Sequence, residues 1–439
     1  MTNRLSAVAL AAALALASHS AQAQLAPSVE AQLLKRLDAL AQELESVKSE
    51  LKAVKATQAA QATQVAQAMA ATDMANAAGV SAPGRSEGMS ATELTAYGEI
   101  NYSRPHADKA KTEADVARFV LGYQHRFNEK TKVVAELEVE HAVTSSSDQG
   151  EVAVEQAFIE HRLSDTYGAR AGLFLIPLGM LNTNHEPTAF YGVQRNVVET
   201  AIIPSTWREA GVQVFGEHDN GVSWSAGLST GFDLSKWDSS SDGGVQAPLS
   251  SIHQEGQLAK SKDLAVFGAV DWRGVPGLRL GGGLFTGQLA QGAANFASPK
   301  ARLTLWDLHA KWTPGAWDWS AVYAHGGISG AGDFNTTVAG NTALVPKLFD
   351  GWYLQGAYKF RLGGDYTLAP FGRLERVNTG RSFDGVLQGF NPTAYATEQI
   401  ITLGANLNIA PTVVIKADIK RLKVATDANS FNLGLGFSF

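Results

Sequence analysis

From about residue 94 to the C-terminus, polar and apolar residues alternate with a period of two, in segments that often reach ten residues or more. That period puts successive side chains on opposite faces of an extended strand, so one face is built for an apolar surround and the other for a polar one. "KVVAELEVE" sets Val133, Ala135, Leu137 and Val139 against Lys132, Glu136, Glu138 and Glu140. "GWYLQGAYKFRL" sets Trp352, Leu354, Tyr358, Phe360 and Leu362 against Tyr353, Gln355, Lys359 and Arg361. "TVVIKADIK" sets Val413, Ile415, Ala417 and Ile419 against Lys416, Asp418 and Lys420. About sixteen such segments can be counted, with residues 317–325 ambiguous because both faces are apolar. Strands of soluble sheets run to about 5–6 residues, whereas 9–11 residues tilted by about 45° cross a bilayer.

Short joints ("FNEKTK", "RGVPG", "TPGA") alternate with long connections such as residues 234–262. Short turns at one end and long loops at the other are the pattern of an outer-membrane barrel. A soluble sandwich also alternates, and periodicity alone does not say which face meets solvent. Strand length, dense Arg, Lys and Glu on the polar faces, and Trp, Tyr and Phe near strand ends favour the membrane barrel. The expected fold is therefore an all-β transmembrane antiparallel barrel of about 16 strands over residues 94–439, preceded by a short α-helical coiled coil. The chain ends on "SFNLGLGFSF", with Phe431, Leu433, Leu435, Phe437 and Phe439 on one face and Gly434 and Gly436 on the other. Lipid is the surround that suits such a comb. The ending resembles the outer-membrane assembly signal, which would make Phe439 the residue met by the barrel-assembly machinery.

The N-terminal residues read differently. Arg4, the apolar run 5–17 and Ala21-Gln22-Ala23 form a secretory signal peptide over residues 1–23. Its 13-residue apolar run would span only about 20 Å as a helix, short of the ~30 Å of a transmembrane anchor. Leu33, Leu37, Leu40, Leu44, Val47, Leu51 and Val54 follow at 4,3 spacing, which predicts a periplasmic coiled coil over residues 24–58 rather than one amphipathic helix packed on the rest. The residue types leave its strand number open. Residues 59–93, Ala/Gln-rich and then Gly/Ser/Pro-rich, read as a fraying helix end and linker. A net charge of −6 argues against nucleic acid as a partner, and the absence of Cys excludes disulfides and thiolate metal sites.

No hydrolase, metalloprotease, P-loop or dinucleotide motif is present and the ten His are scattered, so neither enzymatic activity nor a cofactor is expected. The most distinctive stretch is residues 172–212, which leaves a strand at Ile176-Pro177 and runs on without alternation. It carries His185, Glu186, Arg195, Glu199, Arg208 and Glu209. A loop this long is usually functional. In a barrel it can fold inward and narrow the lumen, and residues 177–204 are expected to do so, with Arg195 and Arg208 on a charged rim. The alternative is an external loop packed on its neighbours; residues 234–262 are expected to lie outside. The polar faces would line the lumen with Arg118, Arg126, Lys359, Arg361, Arg373, Lys416 and Lys420 against Glu136, Glu138, Glu140 and Glu375. That leans toward anions, although cross-strand pairing explains many of these charges equally well.

"GLFLIPLG", "NHEPTAFYGVQRN", "IIPSTWREAGV" and "LAPFGRLE" resemble the phosphate-selective porin O/P family, most clearly in the long loop and the last strands. The resemblance implies a sixteen-stranded homotrimeric porin with an inward third loop, passing small hydrophilic solutes or anions such as phosphate through the lipid of the outer membrane of a Gram-negative bacterium. The row of three Glu departs from a purely basic pore. The rival reading is a structural barrel that anchors the coiled coil as an envelope tether.

Overall fold

A computed structural model describes residues 91–439, apart from 146, 149, 240–244, 339–342 and 387–393. The expected signal peptide, coiled coil and nearly all of the linker lie outside the described residues. The strands are β1 (Thr92–Pro105), β2 (Glu113–Arg126), β3 (Thr131–Glu140), β4 (Val152–Arg162), β5 (Tyr167–Leu175) and β6 (Arg208–Glu217). They continue with β7 (Val222–Ser229), β8 (Ala265–Trp272), β9 (Leu278–Gln288), β10 (Arg302–Trp312), β11 (Trp317–Ser329) and β12 (Leu348–Tyr358). The last are β13 (Phe360–Gly363), β14 (Tyr366–Ser382), β15 (Glu398–Ala410), β16 (Val413–Leu422) and β17 (Ser430–Ser438).

Apart from β12 and β13, consecutive strands pair antiparallel, and β17 returns to β1 with Tyr97 opposite Ser438 and Pro105 opposite Ser430, which closes the sheet. β12 and β13 both pair with β14 and form one stave interrupted at Lys359, so the seventeen segments make a sixteen-stave barrel. Closure leaves no sheet edge, which is what a β-structure in lipid requires. The joints 127–130, 163–166, 218–221, 273–277, 313–316 and 411–412 gather at one end, and the long connections at the other.

The two faces follow the alternation. Phe119, Leu121, Leu354, Leu374, Leu403, Ile415 and Leu433 are exposed on the outside. Arg118, Glu138, Gln355, Arg373, Glu375, Lys416 and Asp418 on the opposite face are buried. Aromatic residues collect at the short-turn end, where Trp317 stacks on Trp319 at 5.3 Å and meets Tyr358 at 4.9 Å. Such a girdle sits where an amphipathic ring has one wet and one apolar side.

The lumen holds a hydrophobic core as well as charges. Trp207 packs on Phe285 at 4.5 Å and Phe232 at 5.2 Å, and Phe174 on Phe267 at 5.9 Å. Leu303, Leu305, Val322, Ala324 and Phe349 turn inward into the same cluster. This explains why β11 is apolar on both faces: one face meets lipid, and the other meets loops packed inside the barrel.

Residues 234–262 differ from the sequence expectation of a loop lying wholly outside. Leu234, Trp237, Leu249 and Ile252 are buried in the cluster, and Trp237 Nε1 donates to Ala343 O at 3.0 Å. Burying one such side chain contributes about 1.5–3 kcal/mol, enough to draw the loop over the mouth.

The C-terminal residue is held by its backbone. Phe439 N and O exchange hydrogen bonds with Ala96 at 2.9 Å, while the residue as a whole is 73% exposed. Phe439→Ser should therefore leave the melting of the folded barrel nearly unchanged and lower its amount in the outer membrane severalfold. Parallel thermal melts and membrane fractionation check this; equal membrane levels would remove any sorting role for Phe439.

Candidate constriction inside the barrel

Residues 176–207 link β5 to β6. Pro177 lacks the N–H that would continue the β5 ladder, and the chain then turns into the lumen. Its contacts trace the wall. Gly179 N donates to Asp307 on β10 (3.0 Å), Tyr191 OH to Asp318 on β11 (3.1 Å) and Val197 N to Glu375 on β14 (2.6 Å). Val193 N donates to Asp418 on β16 (2.7 Å), and Gly192 N to Asn406 on β15 (3.2 Å). Arg118 on β2 donates to His185 O (2.6 Å), and His185 Nε2 lies 2.7 Å from Tyr97 OH on β1. A segment that touches inward side chains on so many sides of a closed barrel lies within it.

Two side chains shape the loop. Asn182 donates to both Ile176 O and Trp207 O at 2.8 Å and accepts from Trp207 N at 2.7 Å, which clamps the loop's two ends together. Glu199, 3% exposed, accepts from Met180 N, Leu181 N, Asn196 Nδ2 and Tyr353 OH. Strand glycines make room for the loop. A Cβ on Gly436 would stand 2.6 Å from Pro187 Cβ, and one on Gly434 3.2 Å from Val193. The small residues of the last strand thus seat the loop.

The charges divide by wall. On β1–β4, Arg118 pairs with Glu99 at 2.8 Å and lies 4.0 Å from Glu138, Glu155 pairs with His185, and Gln156 donates to Glu136 at 2.6 Å. On β14–β16, Arg373 pairs with Glu375 at 2.9 Å, Lys416 Nζ sits 3.5 Å from the centre of the Phe190 ring, and Lys420 reaches Gln194 at 3.4 Å. Lys359 binds Asp318 at 3.1 Å. Arg195, on the loop, donates to Thr206 Oγ1 at 3.1 Å and has no ion-pair partner among the described residues. Burial, and then the nearby Arg118 guanidinium, push Arg195 down to about 10, against the opposing pull of Glu99. It stays cationic at neutral pH.

The residues singled out from sequence divide as follows. His185, Arg195 and Glu199 belong to the inward loop, and Glu186 is half-buried on it. Arg195 and Arg208 come together at Thr206, Arg195 donating to its Oγ1 at 3.1 Å and Arg208 to its backbone O at 3.3 Å. Arg208 shares the strand face of the outward Val212 and Val214 and meets Glu255 at 3.3 Å, while Glu209 is fully buried, accepting from Trp207 Nε1 and Thr230. Alternation in β6 separates them, because adjacent strand residues face opposite ways. Arg126 and Arg361 lie exposed toward the short-turn end, and Glu140 is half-buried on the β3 wall.

Sequence reading missed Tyr97, Glu99, Glu155, Asn182 and Asp318. "AYGEIN" already sets Tyr97, Glu99 and Asn101 on one polar face, so Glu99 was legible. Glu155 was masked by a register shift between β3 and β4 after Glu136. Among the described residues, no group of three or more His, Asp or Glu could hold a metal ion.

No family model matches the chain. A solved Salmonella typhi OmpF complex with daunomycin is 12% identical and aligns over 79% of this chain and 97% of its own, with a TM-score of 0.54. An anion-selective porin from Comamonas acidovorans is 12% identical over 79% and 100% of the two chains, with a TM-score of 0.49. The likeness to OmpF is one of fold. A protein of Aquifex aeolicus (strain VF5), described as uncharacterized, is 30% identical over 335 residues, 74% of each chain. The chain belongs to the family of this Aquifex protein.

Proposed function

We propose that this protein is an outer-membrane channel for passive diffusion of small hydrophilic solutes, with a weak lean toward anions such as phosphate. The observation that carries the reading is the charged inward loop, pinned around the inside of a closed sixteen-stave barrel whose outer face is apolar. Such a loop does for a pore what a constriction must: it sets a size limit and fixes charge where water is scarce. The fold shared with OmpF supports the same placement and use. The lean toward anions rests on Arg195 and Lys420, which have no carboxylate at ion-pair distance among the described residues. Glu140 and Glu186 carry the opposing sign and keep it weak. The predicted coiled coil favours an oligomer, and the resemblance to the phosphate-selective porins makes it a homotrimer.

Planar-bilayer recording of the purified full chain tests this. Ion-conducting steps are expected, with a reversal potential on the anion side in a KCl gradient, from a particle whose detergent-corrected mass is that of a trimer. A folded barrel that conducts nothing would overturn the channel and leave the envelope tether. A cation-side potential would overturn only the anion lean.

A further inference from the structure

We propose that the outside of the barrel carries a binding site for the phosphate-bearing headgroup of an outer-leaflet lipid, built on Arg376 and Arg381. This rests on the outer-membrane placement and not on channel activity. The register makes a row across three strands, Tyr323 on β11 opposite Trp352 on β12, and Trp352 opposite Arg376 on β14. All three share the outward face of Leu354 and Leu374, the exposed residues of the next row toward the short turns. The change from leucine to arginine and tryptophan within one row marks the boundary between acyl chain and headgroup. It lies toward the long-loop end, the extracellular side of such barrels.

A cavity opens at this level, lined by Tyr323, Asp350, Trp352, Arg376, Asn378 and Arg381. Asp350, its one carboxylate, is 6% exposed and already bound to Arg381 at 2.9 Å and to Tyr323 OH at 3.4 Å. Arg376 is exposed and has no hydrogen-bond or ion-pair partner among the described residues. The groove therefore carries net positive charge on a surface that faces lipid. A guanidinium there is costly unless an anion meets it, and its planar fork matches a phosphate. The neighbouring Trp352 and Tyr323 supply a flank suited to the sugar or glycerol to which that phosphate is attached. A free phosphate ion fits less well, because the groove opens sideways into the membrane and not to bulk water.

The test uses the full chain extracted from outer membranes in mild detergent, with bound lipid counted by native mass spectrometry. The double variant R376Q/R381Q should retain about tenfold less phosphorylated lipid, as the loss of charge-assisted contacts requires, while keeping heat-modifiable mobility and conductance. Delipidated protein should bind vesicles of the phosphorylated lipid in preference to the same lipid dephosphorylated, with inorganic phosphate in the buffer failing to displace it. Undiminished retention, equal binding of both lipids, or displacement by free phosphate would overturn the site. Conversion of an oligomer to monomers by the variant would do so too, by making the groove a subunit contact. Fractionation of the chain away from the outer membrane would instead remove the placement on which the site rests.

Discussion

Replacing Glu199 by leucine should release the inward loop, with a loss of about 3–5 kcal/mol of local stability. The carboxylate is almost wholly enclosed and accepts four hydrogen bonds, from two backbone N–H groups at the loop's start, an amide on its return and a tyrosine on the wall. Leucine keeps the volume and strands all four donors. Each buried donor left without a partner costs about 1–3 kcal/mol, and partial relaxation keeps the sum below the full total. The walls do not depend on this residue, since the strand ladders hold the barrel by themselves. The expected phenotype is a folded, heat-modifiable barrel that gains a protease-sensitive site within residues 176–207 and shows larger or noisier conductance. Glu199→Gln, which retains one acceptor, should fall between. Wild-type protease resistance and a quiet channel in the leucine variant would mean that the loop is held elsewhere.

The second large effect is expected from Arg195→Glu. Two unit charges about 4 Å apart interact by about 4 kcal/mol at an effective dielectric near 20, against about 1 in water. Screening over about 8 Å at physiological salt confines that influence to the narrowest zone. The native guanidinium makes one hydrogen bond among the described residues, to Thr206, so reversal changes the field far more than the packing. The reversal potential in a KCl gradient should move to the cation side. Lys236→Glu, exposed on the loop above the mouth, should move it little. Equal shifts from both variants would show that selectivity is not set at the inward loop.

Much of the barrel was legible in advance because its physics is local. A strand alternates with a period of two whatever lies beyond it, so the outward Leu354, Leu374 and Ile415 and the inward Arg373, Lys416 and Asp418 could be assigned from spacing alone. The aromatic residues near strand ends, the short turns and the backbone-paired final strand followed from the same reasoning. The expectations for residues 1–58 concern a part of the chain that the described residues do not include.

The site was only partly legible. The length of residues 176–207 marked it, and His185, Arg195 and Glu199 all lie on that inward loop, each with its own partners. Arg208 stands at the loop's end, where it shares Thr206 with Arg195, and Glu209, the next residue, turns the other way to Trp207 and Thr230. Glu199 was marked as a pore charge, but burial and four donors make it the loop's internal fastening. What only the tertiary structure decided is which wall each loop atom meets. Val193 binds Asp418 across 225 residues of sequence, and Tyr353 binds Glu199 across 154. Alternation tells a side chain which way to face and carries no record of its partner. The partner is fixed only when the barrel has closed and the apolar side chains of its long connections have packed against the inward faces of the strands.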